Sequence, residues 1–226
     1  MLVLMKLINK SVIKENYAWA LFLHTWKGER RLVMGLVIFI LEALFTKIFL
    51  GGSFKNLFDQ VLNLKGIWKY AVPAIIIIWL LETLYPIVNI PIFIKAVAFT
   101  ISQILLLLFF WDNRKNVQMF IIGIGEFLNF LVVAANGFYM PVEVKYLLGD
   151  PRLSHFYQEI MDKSDYIHSL VTEDTHLYFL ADVIYIPGFL WFSPSIVSIG
   201  DIIKVLGTLF LIPKLMLKKS ISISNK

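Results

Sequence analysis

The chain has 226 residues, of which 58% are hydrophobic and only 16% charged, with a net charge of +5 and no cysteine. A soluble globular domain carries roughly 25% charged residues, so the composition excludes an ordinary soluble domain and indicates a membrane protein. The lack of cysteine excludes disulfides, cysteine metal ligands and a thiol nucleophile, and no basic stretch interleaved with aromatic residues points to a nucleic-acid partner.

The N-terminal residues 1–31 mix apolar, aromatic and basic positions. This stretch is too short and too polar for a span, so we expect an interfacial helix. The first predicted span, 32–50, ends at Gly51 and Gly52. Apolar residues at helical spacing over 53–69 then predict an amphipathic connector that lies on the membrane surface.

Four more apolar segments follow, at 70–90, 91–111, 117–135 and 198–217. Each approaches the 20 or so residues needed to cross about 30 Å of hydrocarbon. Within the segment 117–135, Gly123 and Gly125 predict a close helix–helix contact. The sequence therefore predicts an all-α, polytopic transmembrane bundle of about five spans, forming a single domain over 1–226.

Two regions between these spans have a different character. Residues 136–178 form a polar loop region, and 179–197 are apolar but contain Asp182, Pro187 and Pro194. Such a composition suits a re-entrant or interfacial segment better than a straight helix. Lys and Arg in the short loops favour a C-terminus on the cytoplasmic side and residues 136–197 outside. We expect a multi-pass protein of the bacterial cytoplasmic membrane.

Two carboxylates, Asp182 and Asp201, lie at the edges of apolar segments. An acid retained near hydrocarbon is costly and is therefore a functional-site hypothesis. Asp182 has only apolar neighbours in sequence. Asp201 has a structural alternative, because Ser198 and Asp201 fit a capping box at a helix start, where Asp201 is also one turn from Lys204.

Other polar groups are open to two interpretations. Glu42, Glu82 and Glu126 lie inside spans, where they either pair with Lys47 or Lys95 or line a proton or cation path. Three histidines in 136–178, His155, His168 and His176, match no compact metal motif, so we interpret them as solvated loop residues and predict no metal and no cofactor. Asn136-Gly137 predicts a tight turn.

The segments 123–142 (GIGEFLNFLVVAANGFYMPV), 179–187 and 192–207 resemble a family of uncharacterised small bacterial integral membrane proteins. These share an AANG-x-x-MP turn and a Gly-Asp pair near the last helix. The resemblance covers about the C-terminal half of the chain. It departs at Phe138, where a second glycine is usual.

A second resemblance is to signal peptidase II, an intramembrane aspartyl peptidase. Residues 180–183 (LADV) and 198–201 (SIGD) match the order and spacing of its two catalytic acids, and 125–129 (GEFLN) occupies the place of an upstream motif. The resemblance implies that Asp182 and Asp201 share a catalytic proton. The chain departs from the pattern at Ser198, Asn129 and Phe130, which replace an asparagine, an acid and an arginine.

The sequence leaves two functions from different classes. In the first, an intramembrane aspartyl peptidase acts on a membrane-anchored peptide or lipoprotein precursor. Asp182 and Asp201 are then catalytic, and Asn129, Asn136 and Glu126 position the substrate. In the alternative, a non-enzymatic membrane component binds or transports a small solute, a lipid or a partner protein. Its acids are then structural or proton-coupled.

Overall fold

The computed structural model describes residues 40–84, 88, 90–165, 167–188 and 194–217, and no side chain is described at Glu82. The predicted N-terminal interfacial helix and the beginning of the first predicted span lie outside these residues. The description below concerns the unit that begins at Glu42. Its first element, α1, is helical over residues 42–50.

A short amphipathic helix, α2 (Phe54–Leu62), follows the turn at Gly51. Ser53 caps it by accepting a hydrogen bond from the Asn56 amide. A π-helical turn over Ile67–Ala71 leads into α3 (Val72–Leu84). The axis of α2 makes an angle of 73° with the helical segment Ile67–Leu81, so the chain changes direction sharply between the two.

Two long helices form the apolar centre of the protein. Helix α4 (Ile92–Asp112) ends at Asn113, whose side chain donates to the carbonyl oxygens of Phe109 and Lys65. Helix α5 (Val117–Ala135) is capped by Asn116, which accepts from the Gln118 amide. Within the described residues, two helices are long and apolar enough to cross a membrane, and these are α4 and α5. The number rises to three if the bent α2–α3 pair is counted as one span.

The prediction of five spans is therefore not supported. The third and fourth predicted spans coincide with α4 and α5, but α3 has only 13 residues where a span needs about 20. The last predicted span coincides with α8 (Ile199–Leu217), which has Pro213 inside it and three charged side chains. These charges, at Asp201, Lys204 and Lys214, distinguish α8 from α4 and α5.

Between α5 and α8 the chain forms a small mixed layer, here called the cap (residues 136–197), so the fold is not purely α-helical. Its elements, in chain order, are β1 (Met140–Val142), α6 (Val144–Gly149), a 3-10 turn (Pro151–Leu153), α7 (Ser154–Met161), β2 (His168–Leu170), a 3-10 turn (Tyr178–Leu180), β3 (Ile184–Ile186) and β4 (Ser195–Val197).

Strand β1 is the centre of the cap. It pairs in parallel with β2, Met140 opposite His168, and on its other side forms a bridge from Val142 to Asp182. Strands β3 and β4 pair antiparallel, with Ile184 opposite Val197. The described parts of 179–197, predicted as a re-entrant or interfacial segment, are thus a 3-10 turn and two paired strands.

Four groups of buried apolar residues hold these elements together. One lies inside the cap around Val142 and Leu147, and a second joins the cap to the C-terminal end of α5 around Val133 and Met140. The other two lie at the opposite end of the bundle, where α8 packs on α1 and α2 and where Phe109 and Met119 pack on the π-helical turn. The cap is therefore held on one end of the α5–α8 pair by apolar contacts.

Candidate functional site

Asp201 lies in the first turn of α8 and closes a capping box with Ser198. The Asp201 amide donates to the Ser198 hydroxyl at 2.9 Å, and the Ser198 amide donates to Asp201 Oδ2 at 3.2 Å. Each residue satisfies a backbone donor that the helix start would otherwise leave unpaired. The predicted capping box of Ser198 and Asp201 is therefore present, and it fixes the carboxylate at the helix N-terminus.

The other carboxylate oxygen of Asp201 faces α5 and Lys204. Asn129 donates from Nδ2 to Asp201 Oδ1 at 2.8 Å, and Lys204 Nζ lies 2.9 Å from the same oxygen. Asn129 Oδ1 in turn accepts from the Ser198 hydroxyl at 2.9 Å. The ammonium of Lys204 also lies 3.4 Å from Glu126 Oε2. Glu126 thus pairs with Lys204, and not with Lys47 or Lys95 as the sequence suggested.

This polar group, here called the α5–α8 network, forms where the two helices approach closely. A Cβ at Gly200 would lie 1.9 Å from Asn129 Oδ1, and one at Gly125 would lie 2.5 Å from the carbonyl oxygen of Gly200. A Cβ at Gly123 would lie 2.8 Å from Cβ of Phe110 on α4. The predicted close helix contacts at Gly123 and Gly125 are confirmed. The contact of Gly125 with Gly200 is the one that brings Asn129 to Asp201.

Asp182 lies in the cap, next to the central strand. Its amide donates to the Pro141 carbonyl at 2.9 Å and its carbonyl accepts from the Glu143 amide at 3.0 Å, so its backbone position is fixed along β1. The side chain is 7% exposed, and Oδ2 lies 3.6 Å from His168 Nε2. Strand β1 lies between β2 and Asp182, so the contact between His168 and Asp182 reaches across β1.

His168 has a carboxylate at each of its ring nitrogens. On the side away from Asp182, its Nδ1 lies 3.0 Å from both carboxylate oxygens of Asp165, which also accepts from the amides of Ile167 and His168. The side chains of His168 and Asp165 are 9% and 11% exposed, and Phe156 packs edge-on against the imidazole. The interpretation of His168 as a solvated loop residue is wrong.

A lysine from α4 lies beneath this cluster. Lys95 is 1% exposed, its Nζ lies 3.2 Å from the centre of the Tyr139 ring, and the charge of Asp165 acts on it. Tyr139 directly precedes β1. Lys95 therefore connects the first turn of α4 with the cap, and together with Asp165, His168 and Asp182 it forms what we call the buried cluster.

Asn136 uses its side chain to fasten the cap. Its Nδ2 donates to the carbonyl oxygens of Val132 and His176, and its Oδ1 accepts from the His176 amide at 2.9 Å. The amide group that we assigned to substrate positioning is thus bonded to the protein's own backbone. His155 and His176 are both exposed, and His155 Nδ1 lies 3.2 Å from Glu159 Oε1.

The predicted site residues are therefore divided among three places. Asn129, Glu126 and Asp201 come together in the α5–α8 network, and Asp182 belongs to the buried cluster. Asn136 lies at the C-terminal end of α5. The antiparallel β3–β4 pair nevertheless brings Asp182 and Asp201 to the same end of that pair, because Asp182 precedes β3 and Asp201 follows β4.

Glu42 Oε1 is buried with no hydrogen-bond partner among the described residues.

Asp165 was not predicted as a site residue, Lys95 was considered only as a partner of the glutamates, and His168 was interpreted as solvated. A signal was present for Asp165 and His168, because an aspartate three residues before a histidine can bond both its backbone and its ring. Lys95, in the first turn of an apolar segment, had the same status as the acids that were singled out. Over the described ranges, no group of three or more acids and histidines is arranged to hold a metal ion.

The family model for DUF5317, a family of unknown function, matches residues 61–213. The chain belongs to this family. Its match runs from the end of α2 through the cap to α8, so both the buried cluster and the α5–α8 network lie inside the DUF5317 region. A protein of Thermotoga maritima described as "Uncharacterized protein" is 29% identical over 161 residues, which are 70% of this chain and 79% of that protein. No solved structure matches the chain significantly.

Proposed function

We propose that this DUF5317 protein is a non-enzymatic, multi-pass component of the bacterial cytoplasmic membrane, and that its buried cluster binds and releases a proton. The observation that carries the proposal is the imidazole of His168, which has Asp165 at one ring nitrogen and Asp182 at the other. All three side chains are nearly removed from water, with at most 11% exposed.

The chemistry of these groups supports proton binding. Histidine is the side chain whose charge ordinarily changes between about pH 5 and 8, and its charge here contributes, with that of Lys95, to compensating the two carboxylates. Burying an uncompensated carboxylate costs several kcal/mol. Gain or loss of a proton at His168 would therefore alter its contact with Asp182. This contact reaches across β1 and joins β2 to Asp182 on the other side.

Membrane insertion is supported by α4 and α5 and by the partners of the α8 charges. Asp201 and Lys204 bond to each other and to α5, and Lys214 Nζ lies within 2.9 Å of the side-chain oxygens of Asn116 and Gln118. Paired charges facing a neighbouring helix are the form in which charged residues are found inside membranes. We infer that α8 crosses the membrane beside α5.

The charges at the two ends of the bundle support the orientation. The cap contains eight acidic and three basic residues, whereas the opposite end is basic, with Lys65, Arg114 and Lys115 exposed there. Positively charged residues concentrate on the cytoplasmic side of membrane proteins. We infer that the basic end faces the cytoplasm and that the cap faces outward.

Histidine titration in the intact protein tests the proposal. Protein labelled with ¹⁵N-histidine and held in nanodiscs is followed by NMR from about pH 5 to 9, with His168, His155 and His176 assigned from single His→Gln variants. We expect the ring ¹⁵N signals of His168 to report a change of protonation within this range. We also expect Asp182→Asn to move the midpoint of that change.

Two results would overturn the proposal. If His168 keeps one protonation state over the whole range, the cluster is a fixed structural contact. If Asp182→Asn leaves the His168 midpoint unchanged, the Asp182 carboxylate does not act on it.

The peptidase is the second candidate, favoured by the β3–β4 pairing that places Asp182 and Asp201 at one end and by the bond from Asn129 to Asp201. It is less well supported, because two aspartates that share a water need a free carboxylate face, and Asp201 already bonds Lys204, Asn129 and Ser198. The test is cleavage of a synthetic lipoprotein leader by the purified protein. A peptidase loses cleavage in Asp201→Glu without unfolding, whereas a wild-type protein that leaves the leader intact would remove this candidate.

A further inference from the structure

One face of α2 is apolar over a wider arc than the protein itself covers. Leu57 and Val61, four residues apart, pack against α8 around Leu215 and Met216. Phe54, Phe58 and Leu62, at the same spacing, lie beside them on the helix surface but are 42%, 65% and 41% exposed. Apolar side chains on this scale are costly in water, so this half of the face needs a partner.

The position of α2 suggests what that partner is. The helix turns by 73° from the helical segment that follows it, and Ser53 and Asn56 hold it on the last turn of α8 by donating to the Met216 carbonyl. Trp68, just after α2, is 69% exposed. A helix set across the end of a bundle, with exposed Phe and Trp, is typical of the boundary between headgroups and acyl chains.

Basic side chains gather at the same place. Lys55, Lys65 and Lys69 are exposed along the α2–α3 corner. Asn113 bonds the backbone of Lys65 in both directions, which brings the α4–α5 turn, with Arg114 and Lys115, to this corner. The acids near these cations are Asp59 on α2 and Asp112 at the end of α4, so the cations are in excess.

We propose that this corner, made of α2 and the exposed lysines 55, 65 and 69, binds anionic phospholipid headgroups of the cytoplasmic leaflet. The apolar half of α2 then lies in the upper acyl region, and the ammonium groups meet the phosphates. Each basic residue near an anionic membrane surface adds a favourable contribution. The inference is independent of proton binding, but it rests on the membrane insertion and orientation proposed above.

The lipid preference can be measured as thermal stabilisation. Protein in a neutral detergent is mixed with phosphatidylglycerol or with phosphatidylcholine, and its Tm is recorded. We expect phosphatidylglycerol to raise the Tm more than phosphatidylcholine does, and the difference to disappear in the variant K55Q/K65Q/K69Q. The control variant K145Q/K163Q removes two exposed lysines from the cap and should keep the full difference.

The depth of α2 can be measured separately, because the chain has no cysteine of its own. Single variants Phe58→Cys and Gln60→Cys, on the apolar and polar sides of α2, are labelled with a fluorophore in vesicles of phosphatidylglycerol brominated near the headgroup. We expect much stronger quenching at position 58 than at 60.

Three outcomes would overturn the proposal: equal stabilisation by the two lipids, loss of the preference in the cap control as well, or weak quenching at position 58. The last would indicate that the exposed half of α2 is covered by another protein.

Discussion

At the scale of the residue, Asp150 illustrates how one carboxylate sets the response of the cap to acid. Its two oxygens accept from the Arg152 amide and guanidinium and from the Tyr185 hydroxyl, at 2.7–3.0 Å. The hydrogen bonds from Arg152 and Tyr185 lower the pKa of Asp150 far below its ordinary value, and the bond to Asp150 raises the pKa of Tyr185.

We therefore predict that Asp150→Asn lowers the Tm at neutral pH. A carboxylate with a depressed folded pKa stabilises the protein above its unfolded pKa of about 4, and this contribution is lost as the pH falls through the folded value. The Tm difference between wild type and variant should be constant from neutral pH down to about pH 5 and should shrink below about pH 4. A difference that is unchanged at the lowest pH at which the protein folds would contradict the assignment.

Gly200 is the residue on which the α5–α8 network most depends. A Cβ at this position would lie 1.9 Å from Asn129 Oδ1 and 2.7 Å from the Gly125 carbonyl oxygen, so Gly200→Ala must force α5 and α8 apart. Overpacking of this kind costs about 1–3 kcal/mol, and we expect a Tm lower by about 2–10 °C. Gly149→Ala, where the added Cβ meets nothing within 4 Å, is the control. Equal Tm values for the two variants would show that the helices can separate without cost.

At the scale of the element, the end of α5 has two consecutive residues with left-handed backbone. Gly137 and Phe138 both have φ of +66°, and the Phe138 amide donates to the Val133 carbonyl at 2.9 Å, the six-to-one bond of a Schellman motif. A glycine at position 138 would suit this backbone, because glycine adopts positive φ without a Cβ clash. Phe138 instead adopts a strained conformation and packs beside Val133.

This turn gives a graded prediction. Left-handed backbone costs a residue with a Cβ about 1–2 kcal/mol, and less when that residue is asparagine. We expect Gly137→Ala to lower the Tm and Gly137→Asn to lower it less. No atom lies within 4 Å of the added Cβ, so the change in Tm reports the backbone cost and not a steric clash. Thermal unfolding of the three proteins in one detergent checks this. An alanine variant as stable as wild type would mean that the turn relaxes.

At the scale of the whole molecule, the opposite charges of the two ends predict the orientation. Because the natural chain lacks cysteine, Glu173→Cys in the cap and Lys115→Cys in the α4–α5 turn each report one side. We expect a membrane-impermeant maleimide to label Glu173→Cys in intact bacterial cells lacking an outer membrane. Lys115→Cys should be labelled only after permeabilisation. The reverse pattern would invert the proposed orientation, and labelling of both in intact cells would contradict insertion through α4 and α5.

Much of the helical framework could be predicted from the sequence, because hydropathy over about 20 residues and local capping chemistry act over short distances. The bounds of α4, α5 and α8, the amphipathic α2, and the Ser198–Asp201 capping box are all local features. Five spans are not supported among the described residues, since an apolar run such as 70–90 does not reveal where its helix starts and stops. The strands of the cap are three residues each, too short for a periodic pattern to predict.

By itself the sequence determined that the protein is mostly helical and apolar, and that Asp182 and Asp201 need partners wherever they lie. Only the tertiary structure decided which residues are those partners. Asn129 reaches Asp201 because glycines let α5 and α8 approach, and His168 reaches Asp182 because both flank β1. A buried charge dictates that it must be compensated, but the compensating group comes from a segment far away in the chain, and its identity depends on packing that no local pattern records.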